Sequence, residues 1–311
     1  MVKHKIILII LLNASFLMSQ VLDEKLYITI QMMDQVGIIN TENNQIEYLI
    51  ETEMQDYNDN CMDISDQITC DISASCEWMM GMCMGINTIN TPHFIVMDEH
   101  LGYWFVSTIA SGFIAQYSLI NNELIDAYFV GDAPAILAID TENKKIYCSR
   151  MMSMNGMGNM MPSSESQIIH SLSYSPMGLI DSDINEYQIG SPSPHGLAIN
   201  HNGTEIYTAS NTTDWLYKVY TQTGESVGVS MGSGNPSDQT IQRLKPIQCL
   251  SIENRLFVTC SAGAWYNPFT GENTVIPGKL QLWDSDSMIL LNTLELGDYT
   301  GPWHIKESPI D

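Results

Sequence analysis

The chain has 311 residues, 36 of them acidic against 12 basic, for a formal net charge of −24. A protein of that sign offers no positive stripe to a phosphate backbone and is repelled by anionic membrane surfaces, which excludes nucleic acid as a partner. Its acids are spread along the chain instead of forming blocks, so they read as a solvated surface and not as a binding tail.

Residues 1–20 are expected to be a signal peptide. Lys3 and Lys5 precede a short apolar run, Ile6 to Leu12, and small or polar residues follow near Ser19 and Gln20. That run is too short to span a bilayer, and no later run is longer, so a secreted or periplasmic protein without a membrane span is predicted. Residues 21–50 then hold three strand patterns, Leu26-Tyr-Ile-Thr-Ile, Val36-Gly-Ile-Ile and Gln45-Ile-Glu-Tyr-Leu-Ile.

Residues 51–91 form an insertion that carries Cys61, Cys70, Cys76 and Cys83. Four cysteines in an exported segment with no room for a core predict two disulfides, with the pairing open among three arrangements. A zinc knuckle is the alternative, but the spacing lacks the paired C-x2-4-C of zinc sites. Cys249 falls on an apolar strand position and reads as a small core residue, while Cys148 and Cys260 are expected to stay unpaired.

Residues 92–311 repeat one pattern: a Pro-led strand, a polar turn, then an aromatic-bearing second strand. Pro92-His-Phe-Ile-Val with Tyr103-Trp-Phe-Val-Ser, Pro134-Ala-Ile-Leu-Ala with Lys145-Ile-Tyr-Cys-Ser, Pro194-His-Gly-Leu-Ala with Glu205-Ile-Tyr-Thr-Ala, and Pro246-Ile-Gln-Cys-Leu with Arg255-Leu-Phe-Val-Thr all follow it. A fifth, Gly301-Pro-Trp-His-Ile, begins near the end. The prolines at 92, 134, 194, 246 and 302 stand 42, 60, 52 and 56 residues apart. A period near forty with four antiparallel strands predicts an all-β propeller of about five blades, since one such sheet cannot bury both apolar faces alone. The first unit lacks a Pro-led strand, and ring closure would need Trp303–Glu307 to pair with Leu26–Ile30.

The Pro-led strand, the Asn-Gly or Asp-x-Glu-Asn hairpin, Ile-Tyr-x-x-Ser and Gln281-Leu-Trp-Asp-Ser resemble the YVTN-repeat proteins of the quinoprotein-like β-propeller superfamily over residues 25–50 and 92–308. The likeness implies architecture and not activity, because related propellers include binding scaffolds, lactonases and redox enzymes. Those relatives are commonly seven-bladed, so the chain either closes as five blades or is a truncated seven-blade chain; the expectation adopted is truncation. Pro194-His-Gly is also similar to a tripeptide of the nitrous oxide reductase and selenium-binding propellers.

Strand order puts the loops between second and third strands, and those between blades, on one face. The Cys module, the loop from 151 to 165, Asn235–Leu244 and Ala262–Pro277 all fall there, whereas the other face gets short turns, with Ser175–Asp183 expected to be longer. That inserted face is the predicted binding face for a protein or small-molecule ligand, on a chain expected to be monomeric. His93, His195 and His304 open their blades beside the channel and are candidate ligand-binding residues, with His304 displaced by one position. Trp265 and Tyr266 in an inserted loop are candidate contacts, while Trp104, Trp215, Trp283 and Trp303 are expected in the core between blades. Met151, Met152, Met154, Met157, Met160 and Met161 put six thioethers in eleven residues. Thioethers favour Cu(I), so copper is the candidate cofactor, with a flexible contact surface as the alternative. No nucleophile elbow, paired metal-binding His motif or phosphate loop supports an enzyme, although a lactonase-like acid cluster stays open. Asn202-Gly-Thr and Asn211-Thr-Thr are glycosylation sequons.

Overall fold

A computed structural model describes residues 24–52, 64–71, 76–79, 82–85, 90–131, 133–150, 167–232, 244–266 and 270–308. Five antiparallel sheets follow one another along the chain. Blade 1 has three strands, β1 (Lys25–Ile30), β2 (Gln35–Asn40) and β3 (Gln45–Glu51). A small hairpin of β4 (Cys76–Met79) and β5 (Met82–Gly85) comes next, after a one-turn helix α1 (Gln67–Asp71). Blade 2 is β6 (Pro92–Asp98), β7 (Tyr103–Thr108), β8 (Phe113–Ser118) and β9 (Leu124–Phe129). Blade 3 is β10 (Pro134–Asp140), β11 (Lys145–Arg150), β12 (Ile168–Ser175) and β13 (Gly178–Gln188). Blade 4 is β14 (Pro194–Ile199), β15 (Glu205–Ser210), β16 (Trp215–Tyr220) and β17 (Ser226–Ser230). Blade 5 is β18 (Pro246–Ile252), β19 (Arg255–Cys260), β22 (Gly278–Asp284) and β23 (Ile289–Gly297), with the hairpin β20 (Gly263–Tyr266) and β21 (Asn273–Ile276) inserted between its second and third strands.

The core is not one cluster but four slabs, each made by two neighbouring blades. Trp104, Val106 and Tyr117 of blade 2 pack on Val36 of blade 1, Phe105 and Ile114 on Tyr174 and Leu172 of blade 3, Tyr147 and Ile169 on Ile206 and Val219 of blade 4, and Tyr207 and Leu216 on Leu256, Val258 and Trp283 of blade 5. A sheet that is apolar on both faces gains from such stacking at about 25 cal/mol for each Å² of apolar surface removed from water, which is why the strands alternate less than a one-faced sheet would. Trp104 illustrates the gain: it is fully buried and stacked on Tyr117 at 4.1 Å between ring centres.

Each Pro-led strand opens the same way. The residue before the proline is left-handed, at φ 55° for Thr91, 48° for Ala133, 52° for Ser193 and 50° for Lys245. A register shift then follows between Pro92 and Phe94, Pro134 and Leu137, Pro194 and Gly196, and Pro246 and Gln248. Proline suits this place because it needs no hydrogen-bond donor at a bulge. A hydroxyl on the second strand fills the gap. Ser107 Oγ accepts from Phe94 N at 3.2 Å and donates to Ala135 O of the next blade at 2.6 Å, and Ser149 Oγ accepts from Ile136 N at 2.9 Å and donates to His195 O at 2.7 Å. Thr259 does the same with Gln248 N and Trp303 O, and Thr29 donates to His93 O. In blades 2, 3 and 5 one side chain thus closes a bulge and reaches the next Pro-led segment, and in blade 1 Thr29 makes the link alone.

Two expectations change, and the pairing that ring closure would need is absent among the described residues. Trp303–Glu307 forms no strand with Leu26–Ile30; among the described residues β1 pairs only with β2. Trp303 is consequently half exposed rather than core, whereas Trp104 and Trp283 are buried as expected. Ser175–Asp183 is no long loop, since Ser175 pairs directly with Gly178 and the strands run through.

Candidate functional site

Strand order decides what lies at each end of the blades. The hairpin β4–β5 leaves between β3 and β6, residues 151–166 between β11 and β12, residues 233–243 between β17 and β18, and β20–β21 between β19 and β22. All four depart from the end at which the Pro-led strands begin. The opposite end carries only tight turns, such as 99–102, 141–144 and 200–204.

At that first end the residues following the prolines converge. His93 and His195 belong to blades 2 and 4, which are not neighbours, yet their rings lie 6.0 Å apart with planes at 79°. Side chains of non-adjacent blades meet in this way only where the Pro-led strands line the axis. Trp303 takes the equivalent place, 6.4 Å from the His195 ring, and His304 turns to Phe94 at 5.5 Å. His304, one position on from Trp303, thus faces Phe94. Gly196 lets blade 4 approach blade 5 here: a Cβ at that position would stand 3.1 Å from Cys249 Sγ and 3.3 Å from Cys249 N.

Each imidazole is anchored through one nitrogen. His195 Nδ1 lies 2.7 Å from Ile247 O. A carbonyl only accepts, so Nδ1 carries the proton and Nε2 keeps a bare lone pair. His93 Nδ1 lies 2.6 Å from Gln31 Nε2, and His304 Nδ1 3.3 Å from Gln248 Oε1. The Nε2 atoms of His93 and His195 are buried and have no hydrogen-bond partner among the described residues. Burial, then the neighbouring charges of His195 and His304, pulls His93 down to about 4. His195 is lowered chiefly by burial, against its bond to Ile247, and His304 by burial. All three are neutral at pH 7; Nε2 is the bare nitrogen of His195 and His304, whereas on His93 Nδ1 accepts from the Gln31 amide and Nε2 carries the proton. Among the described residues no three His, Cys, Asp or Glu side chains converge as a metal site would need.

The remaining candidates distribute as follows. Trp265 and Tyr266 lie on β20, paired with Thr274 and Asn273. Met151, Met152, Met154, Met157, Met160 and Met161 and Cys61 lie outside the described residues. Cys70 is buried at the end of α1, and Cys76 and Cys83 sit on the two strands of one hairpin. Cys148, Cys249 and Cys260 are buried free thiols, with Cys148 and Cys260 pushed up to about 12 by burial and therefore unreactive at neutral pH. Three residues that anchor the site were not among the sequence candidates, Gln31, Ile247 and Gln248. No sequence signal marks Gln31. Ile247 had one: the second-strand position held by Thr29, Ser107, Ser149 and Thr259 is Ala209 in blade 4, so the next carbonyl, that of Ile247, is left for another donor.

A third buried imidazole lies elsewhere on this end. His170 receives a hydrogen bond at Nδ1 from Arg150 at 2.7 Å and its Nε2 stands 3.2 Å from Glu186. Burial and then the Arg150 charge hold it down to about 4.

No protein-family model and no curated protein matches the sequence. Solved structures do match in fold. Hydrazine synthase of Kuenenia stuttgartiensis is similar at a TM-score of 0.50 and 14% identity, over 70% of this chain and 53% of that one. A chain of the mitotic checkpoint complex is similar at a TM-score of 0.53 and 11% identity, over 88% of this chain and 61% of that one. The chain thus spans between half and two thirds of those longer chains, and at these identities what is shared is the fold: an all-β propeller of antiparallel blades.

Proposed function

We propose that the chain is a non-enzymatic binding propeller, exported to a secreted or periplasmic compartment, that takes a protein or small-molecule ligand on the face carrying its four inserted segments. The observation that supports this most is the pair of buried, neutral imidazoles of His93 and His195, whose Nε2 atoms stand without partners at the axis of that same face. His195 offers a bare acceptor there and His93, whose Nδ1 accepts from Gln31, offers an N–H; a buried polar atom left unsatisfied costs about 1–3 kcal/mol, which a ligand bearing both a donor and an acceptor returns on binding. Trp265 and Tyr266 on the β20–β21 hairpin would add contact area around the rim. Two disulfides in the module of residues 51–91 would hold a second part of that rim. Anions are poor candidates, because neutral imidazoles present no charge to them.

A melting-temperature screen of donor-bearing small molecules and metal ions tests the reading. Hits should disappear in His93→Ala and persist in Tyr220→Ala, whose side chain is on the opposite end; the reverse pattern would move the site away from the axis. The bare Nε2 of His195 favours one second reading, in which one or more of the imidazoles and the Met151–Met161 segment hold Cu(I), a soft ion that accepts few ligands. Cu(I) titration against a competing chelator, with and without Met→Leu at the six positions, separates the two.

A further inference from the structure

The two sequons lie on one blade, and the fold treats them in opposite ways. Asn202 is exposed at the tip of the turn between β14 and β15, on the end opposite the inserted segments. Thr204 Oγ1 donates to Asn202 Oδ1 at 2.7 Å, which engages the amide oxygen and leaves Nδ2 without a partner among the described residues, on an exposed side chain. Gly203 sits at φ 71°, and a Cβ there would fall 2.0 Å from Asp140 Oδ2. The turn is therefore pressed flat on blade 3, and the Asn202 side chain is what projects from it. Asn211 differs: its Oδ1 is buried, and Thr213 is fully buried with its hydroxyl given to Ser210 Oγ at 2.8 Å.

Two residues along the turn, an open cleft of about 510 Å³ is lined by Thr204, Tyr220, Gln222, Thr223, Glu225 and Val227. Thr204, the hydroxyl residue of the sequon, is part of its wall. An amino sugar presents an apolar ring face and several hydroxyl and amide groups, which suits one tyrosine ring among Gln, Thr and Glu side chains.

We propose that Asn202 is N-glycosylated, with the first sugar of the glycan resting in this cleft against Tyr220. The donor is a lipid-pyrophosphate-linked oligosaccharide. Asn202 Nδ2 forms the bond to its anomeric carbon, the carbon–oxygen bond to the pyrophosphate breaks, the lipid pyrophosphate leaves, and the amide proton passes to the transferase base. This goes beyond the ligand reading and rests only on the expectation of export. It also leaves the inserted face clear, because the glycan stands at the other end of the blades.

The test enforces export, so failure of that expectation cannot mask the result. The chain is produced behind a heterologous cleavable signal in a eukaryotic secretory cell, and glycopeptides of the secreted protein are mapped by mass spectrometry. One glycan is expected, at Asn202, lost in Asn202→Gln and unchanged in Asn211→Gln; an unmodified Asn202, or a glycan at Asn211, overturns the assignment. Trimming the glycan to its first sugar should preserve the melting temperature, while Asn202→Gln should lower it by about 2–4 °C. That difference should vanish in a Tyr220→Ala background; if it persists there, the cleft does not hold the sugar.

Discussion

The junction between blades 3 and 4 and the junction between blades 4 and 5 solve one problem with different chemistry. In the first, the Ser149 hydroxyl closes the bulge of its own blade and donates to His195 O. In the second, Ala209 stands where the hydroxyl should be, and His195 Nδ1 reaches Ile247 O instead. A hydroxyl is used up by that task, but an imidazole is not. Its second nitrogen is left buried and unpartnered at the axis, so the one place where the repeat breaks is also where a binding group is left over.

The largest expected effect on this comparison is that of acid. His93 falls to about 4 in the folded protein against an ordinary 6.5, so between those values the unfolded chain binds more protons. Its contribution is complete above pH 6.5 and is lost as the pH falls to 4, at roughly 3 kcal/mol. Urea titrations from pH 7 to 4 should show that loss, and His93→Gln should remove its share. His195→Ala comes next, at about 2–4 kcal/mol, because it leaves Ile247 O without its donor and opens a cavity; the urea midpoint at pH 7 reads it. Ser149→Ala should cost about 1–2 kcal/mol, since one buried hydroxyl serves both as donor and as acceptor. Ala209→Ser, placed in the His195→Ala background, should recover about 1 kcal/mol by restoring the hydroxyl link of the other blades. No recovery would mean that the two junctions are not equivalent. Smallest is Lys279→Ala, which breaks an exposed pair with Glu295 at 3.2 Å and should change stability by less than about 0.5 kcal/mol.

Much of this frame is legible in the residues themselves. Pro92, Pro134, Pro194 and Pro246 each follow a left-handed residue and open a bulge, and that local chemistry repeats visibly in the chain. The convergence of His93 and His195 is legible for the same reason, because both occupy the place after the proline. Closure is not. Trp303 and His304 have the local pattern of a first strand, and Thr259 binds Trp303 O just as Ser149 binds His195 O, but whether they then pair with β1 depends on a partner nearly the whole chain away. Gln31 escaped notice because a turn glutamine has no pattern until its neighbour across 62 residues is known. Ala209 is the instructive miss: its methyl group looks ordinary in a strand and becomes informative only when compared with Thr29, Ser107, Ser149 and Thr259.

The ring protonation of His195 tests the central claim most directly, by long-range proton–nitrogen correlation NMR at pH 7. The account predicts a neutral ring with the proton on Nδ1 and a bare Nε2, unchanged by Ser149→Ala and altered when a ligand from the screen binds. A proton on Nε2, or a charged ring at pH 7, would contradict it, because no acceptor would then face the axis.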